Sequence, residues 1–66
     1  MRVFVNGETK DLAERSNLQD LLLSLDLPAQ RIAIELNLKV VRRRDWPETI
    51  LEDNDKIEVV HFVGGG

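Results

Sequence analysis

Asn6-Gly7 fixes how this chain begins to fold. Both central residues of a type I′ turn need positive φ, and Asn followed by Gly meets that need at low cost. Ahead of the turn, Met1, Val3 and Val5 alternate with Arg2, Phe4 and Asn6, which is the two-residue period of a strand. The return strand is expected over about Glu8 to Leu12. It carries Glu8 and Lys10, as suits the edge of a sheet. A hairpin with one apolar face then needs a second layer to cover it.

The next segment can supply that layer. Ser16-Asn17-Leu18-Gln19 has the spacing of a capping box, with Ser16 as the cap and Gln19 reaching back. Leu18, Leu21, Leu22 and Leu25 fall at i, i+3, i+4 and i+7, one face of a helix. Leu23 lies off that stripe and is expected to be partly exposed. Pro28 disfavours helical geometry at Leu27, so the helix is expected to stop near Asp26. The leucine stripe is core, facing Val3, Val5, Ile57 and Val59.

A third strand follows from the alternation of Ile32, Ile34 and Leu36 with Ala33 and Glu35. Asn37-Leu38-Lys39 reads as a turn and Val40-Val41 as a short fourth strand. Asp45-Trp46-Pro47-Glu48-Thr49 is expected to be irregular or briefly helical, with Trp46 packed over a core edge. Glu52-Asp53-Asn54-Asp55 lacks the ligand pattern of a calcium loop and reads as an acidic turn. The last strand is expected over about Lys56 to Phe62. Ile57 and Val59 point to one face, and Glu58, Val60 and Phe62 to the other. If the first face packs on the helix, Phe4, Val60 and Phe62 remain on the open one, where polar residues are the rule. Clustered apolar residues there point to a partner-binding surface.

Composition narrows the functional classes. Sixty-six residues make a single domain, residues 1–66, that buries only about 60% of its unfolded surface. There is no cysteine, which removes disulfides, thiolate metal sites and thiol catalysis. A net charge of -3 argues against nucleic acid as a partner. The basic run Arg42-Arg43-Arg44 reads as a solvated loop, with contact to an acidic partner as the sharper alternative. His61 has no second histidine to share a metal with, so no metal site is expected. No apolar run approaches the roughly 20 residues of a membrane span. Met1 to Asn6 lack the apolar region of a signal peptide, so the expected compartment is the cytoplasm.

The chain ends Val63-Gly64-Gly65-Gly66. Glycine lets another protein approach the backbone closely, and it loses more entropy on ordering than any other residue. A tail of residues 63–66 spans at most about 14 Å, enough to thread a carboxylate into a recessed site. The carboxylate of Gly66 is ionised at neutral pH. It becomes an activated acyl group once joined to a nucleotide phosphate. A frayed or truncated end is the bland alternative.

The order hairpin, helix, strand, short strand, strand resembles the β-grasp, or ubiquitin-like, fold: an α+β arrangement with a mixed sheet of four to five strands packed on one main helix. The chain further resembles the ThiS family, the sulfur carriers of thiamin biosynthesis. The resemblance covers the whole chain. It rests on Val3-Phe4-Val5-Asn6-Gly7, Leu18-Gln19-Asp20-Leu21-Leu22 and Ala33-Ile34-Glu35-Leu36-Asn37. It also rests on Val41-Arg42-Arg43 with Trp46, and above all on Ile57 through Gly66. Asn37-Leu38 stands where family members often have Asn-Gly, and Asp53-Asn54-Asp55 where they often have Asp-Gly-Asp.

The resemblance implies that a ThiF-type adenylyltransferase binds this domain together with ATP. Gly66 is then the modified residue, with Gly64 and Gly65 in the tail. The Gly66 carboxylate attacks the α-phosphate to form an acyl-adenylate. A persulfide from a sulfur donor such as a cysteine desulfurase displaces AMP, and later cleavage yields a thiocarboxylate. Thiazole synthase takes up the sulfur. The chain itself is a protein co-substrate, with no catalytic residues and no cofactor of its own; ATP and Mg²⁺ are used by the activating partner. It has neither a phosphate-binding glycine loop nor a paired base and nucleophile. Three alternatives stay open on the residues alone. They are a carrier for molybdopterin or amino-acid biosynthesis, a ubiquitin-like modifier, and a binding module with an inert tail.

Overall fold

A computed structural model describes residues 1–26 and 31–61. Among the described residues five strands form one mixed sheet: β1 (Arg2–Val5), β2 (Glu8–Asp11), β3 (Ile32–Leu36), β4 (Lys39–Val41) and β5 (Lys56–His61). Their spatial order is β2-β1-β5-β3-β4. β5 is central, parallel to β1 and antiparallel to β3. The described residues also form one helix, α1 (Leu18–Ser24), and a short 3-10 stretch (Arg43–Glu48). The expected α+β, β-grasp architecture is the one observed. No helix among the described residues is long and apolar enough to cross a membrane.

The first hairpin forms as the sequence dictates. Val5 pairs with Glu8, and the intervening Asn6 and Gly7 have φ of 50° and 84°. A Cβ on Gly7 would meet nothing within 4 Å, so its backbone angle, not crowding, calls for glycine. The β3–β4 hairpin repeats this geometry, with Asn37 and Leu38 at φ of 51° and 72° between the paired Leu36 and Lys39. Leucine in the left-handed region is strained, and Leu38, 88% exposed, gains no packing in return. Leu38→Gly should therefore raise stability by about 1 kcal/mol, the released strain exceeding the extra entropy of glycine. A denaturation midpoint that stays put or falls would show that the turn carries no such strain.

The helix starts one residue later than expected. The cap is Asn17, not Ser16: its Oδ1 accepts from the Asp20 N–H at 2.8 Å, and its own N–H donates to Asp20 Oδ2 at 3.2 Å. Asp20, not Gln19, closes the box. The choice is made by tertiary contact. Ser16 turns its hydroxyl to the Ala13 carbonyl and accepts from the Leu51 N–H, while Leu18 N–H donates to the Thr49 carbonyl. Those bonds leave Asn17 as the residue positioned to cap. At the other end the helix stops at Ser24, with Leu25 as the cap and Asp26 at φ 55°. Leu27 and Pro28, on which the expected stop near Asp26 was based, lie outside the described residues.

Val3, Leu18, Leu21, Leu22, Ile57 and Val59 are buried together between α1 and one face of the sheet. Val5 and Leu25 pack on that cluster but are only partly buried. Leu23, off the stripe, is exposed. Among the described residues, Ile32, Ile34, Trp46 and Leu51 complete the core. Trp46 sits at its edge and donates its indole N–H to the Val41 carbonyl at 2.9 Å, which satisfies the one polar atom of a buried ring.

Candidate functional site

The site is built on β5, because the glycine tail continues from it. The side chains of β5 alternate about the sheet. Ile57 and Val59 are buried toward the helix, while Glu58 and Val60 are exposed on the open face. The backbone alternates as well. The Asp55 and Ile57 carbonyls accept from the Phe4 and Asn6 N–H groups, so the odd-numbered residues of β5 bond on the β1 side.

Both hairpin turns reach across to this strand. At its start, Asn37 donates its backbone N–H to the Lys56 carbonyl and its Nδ2 to Asp55 Oδ1, and its Oδ1 accepts from the Lys56 N–H. At its end, β1 has already reversed at Asn6-Gly7. There the Asn6 side chain takes over: Oδ1 accepts from the Val59 N–H at 2.8 Å, and Nδ2 donates to the Val59 carbonyl at 3.3 Å. The acidic turn braces the same edge. Asp53 Oδ1 accepts from the Arg2 N–H, Asp55 Oδ2 from the Glu52 N–H, and the Asn54 N–H donates to the Arg2 carbonyl. Glu52–Asp55 is thus occupied in holding β1 and β3 against β5.

The open face has a definite layout. Register places Phe4 beside Thr9 and Lys56, and Val60 beside Ala33. Phe4 is half-buried; Val60 is 49% exposed. The two share the face but stand about 13 Å apart along the strand direction, four residues of β5. Between them Glu58 lies directly opposite Glu35, which in turn lies opposite the exposed Val40. Like charges opposed across a sheet cost stability and invite a cation from outside. Phe62, Gly64, Gly65 and Gly66 lie outside the described residues. His61 is exposed opposite Ile32, on the helix side of the sheet.

Sequence reasoning did not identify Ala33, Val40 or the Glu35–Glu58 pair as part of this face, because only register brings them together. It read Asn6 as a turn former and missed its second role. The Arg42-Arg43-Arg44 run is exposed. The Arg43 guanidinium lies 5.7 Å from the Trp46 ring centroid, a cation–π contact, and Arg44 lies 3.8 Å from Asp45. Among the described residues no three metal-binding side chains cluster.

Known proteins place this geometry. The model of the ThiS family matches residues 3–66. The sulfur carrier protein ThiS of Bacillus subtilis is 38% identical over 63 residues, covering 94% of this chain and 96% of that protein. A solved structure of the thiamine biosynthesis protein ThiS from Geobacter metallireducens superposes with a TM-score of 0.87 at 35% identity, covering 100% of both chains. The thiazole synthase of Magnetococcus marinus is 38% identical over 66 residues. The chain spans 20% of the length of that enzyme and of the second thiazole synthase it matches.

Proposed function

The chain belongs to the ThiS family, and from that membership we propose that it is a sulfur carrier for thiazole formation in thiamin biosynthesis, working in the cytoplasm. The observation that carries the reading is that the family match runs through to Gly66, so it includes the glycine tail and not the scaffold alone. Similarity to thiazole synthases favours a thiazole acceptor over molybdopterin.

The chemistry resides at Gly66. Its carboxylate attacks the α-phosphate of ATP on a ThiF-type adenylyltransferase, and pyrophosphate leaves. A persulfide sulfur from a donor such as a cysteine desulfurase then displaces AMP. A thiol then reduces the resulting acyl disulfide, taking the donor's sulfur into a new disulfide, and leaves a thiocarboxylate from which thiazole synthase takes sulfur. ATP and Mg²⁺ are the partner's reagents, and this chain is the co-substrate. Gly64 and Gly65 add no side-chain bulk to the tail, which suits a narrow channel.

The open face of the sheet is the docking surface in this reading. Val60, with Phe4 and Phe62, supplies apolar contact, and Glu35 and Glu58 call for a basic group on the partner. Val60→Lys should leave the fold intact, since the side chain is half-exposed, yet weaken binding to the adenylyltransferase by about tenfold or more, as loss of an interface anchor does. Circular dichroism paired with a binding titration reads both. A folded variant that binds like the parent removes this face from the interface.

The reading itself is tested by pyrophosphate release from ATP with a ThiF-type enzyme. Release that depends on this chain supports it. A ladder of lysine conjugates on other proteins points instead to a modifier, and no release at all to a module with an inert tail.

A further inference from the structure

We propose that Asn6 is a positioning residue for the tail: its side-chain amide stands in for the β1 backbone and locks Val59, the last buried residue of β5, before the tail begins. This rests on the sulfur-carrier reading and adds to it a residue far from Gly66 in sequence.

The geometry is specific. β1 pairs with β5 only at Phe4 and Val5, opposite Lys56 and Ile57. The Asn6 N–H continues the ladder to the Ile57 carbonyl at 2.9 Å. The chain then reverses, and a strand cannot follow β5 further on that side. The Asn6 amide bonds both the N–H and the carbonyl of Val59, donor to acceptor and acceptor to donor, as a strand backbone would. Positive φ at Asn6 belongs to the turn, so one residue serves both the reversal and the clamp. Without the amide, the backbone from Val59 to His61 would be paired only on the β3 side, opposite Ile34, Ala33 and Ile32.

The consequence for the proposed reaction follows from entropy. Backbone that frays from Val59 to His61 would itself have to be ordered by a partner on docking, at an entropy cost. A clamp at Val59 removes that cost. Once docked, parent and variant are alike, so the clamp acts on KM and not on kcat.

Asn6→Gly keeps the turn, since Gly-Gly also suits type I′, and deletes the clamp. Asn6→Asp keeps the turn and the acceptor for Val59 N–H but sets a carboxylate against the Val59 carbonyl. In adenylation by a ThiF-type enzyme, Asn6→Gly should raise KM about fivefold with kcat within about twofold. Asn6→Asp, with half the clamp, should fall between it and the parent. Hydrogen exchange should show the Val59 amide of Asn6→Gly exchanging about tenfold faster or more, while Leu21, bonded within the helix to Asn17, exchanges as in the parent. A purely structural role would lower the unfolding midpoint and leave KM of the folded molecules unchanged. That result, or unchanged exchange at Val59, overturns the proposal. A parent that is not adenylated at all defeats the sulfur-carrier reading instead, and the exchange measurement still separates that failure from failure of the clamp.

Discussion

Leu21→Ala should lower the free energy of unfolding by about 2–5 kcal/mol. Leu21 is fully buried at the middle of α1, in one cluster with Val3, Leu18, Ile34 and Ile57. Truncation removes the transfer energy of the lost carbons and leaves a cavity that close neighbours fill only in part. The total stability expected for a chain this short is about 3–10 kcal/mol. The loss is therefore a large share of it, and unfolding at room temperature is within reach. Leu23→Ala is the control, two positions along the same helix but 73% exposed; it should change stability by no more than about 0.5 kcal/mol. Equal midpoints for the two variants in chemical denaturation would mean that the helix does not present this face to the sheet.

The elements that were legible in the sequence are the ones set by local chemistry. Asn6-Gly7 announced its turn because positive φ is a property of those two residues. The leucine spacing announced the buried face of α1 because helical period needs no partner to be read. The capping residue was misplaced by one position because Ser16 and Asn17 are both good caps, and a distant contact, Leu18 N–H to the Thr49 carbonyl, decided between them. Leu51 escaped notice for a similar reason. It belongs to no strand, and its burial depends on the bond from its N–H to Ser16, 35 positions earlier in the chain.

The candidate site shows the same division. That Val60 faces outward follows from alternation along β5. That it neighbours Ala33, while Phe4 stands at the far end of the strand beside Lys56, follows only from register between strands. The opposition of Glu35 and Glu58 is equally invisible until β3 and β5 are aligned. Asn6 carried a turn signal strong enough to hide a second function, since nothing local indicates that its amide reaches Val59.

The second large effect concerns the length of the tail. A variant extended by one alanine after Gly66 should fold and dock like the parent, because the described scaffold is untouched. It should nevertheless be adenylated at least about tenfold more slowly. One residue moves the reacting carboxylate by up to about 3.5 Å and introduces a Cβ where glycine stood. Misplacing a reacting group by about 1 Å can cost on the order of a hundredfold in rate. Deletion of Gly66 leaves a Gly64-Gly65 terminus and separates reach from flexibility. If reach governs, the shortened variant loses activity too; if the tail takes up the missing length, it stays active and only the extension fails. Pyrophosphate release at saturating ATP reads both variants. Normal rates for the pair would mean that Gly66 is not the residue activated.

Intact-mass measurement, with fragmentation to locate the change, tests sulfur carriage most directly. The purified chain is incubated with ATP, Mg²⁺, a ThiF-type adenylyltransferase and a persulfide donor, and then treated with a thiol reductant. The expected product is the same chain with one carboxyl oxygen of Gly66 replaced by sulfur, formed only when ATP is present. A chain that is adenylated yet never gains sulfur, or that gains it at any residue other than Gly66, would contradict the sulfur-carrier function.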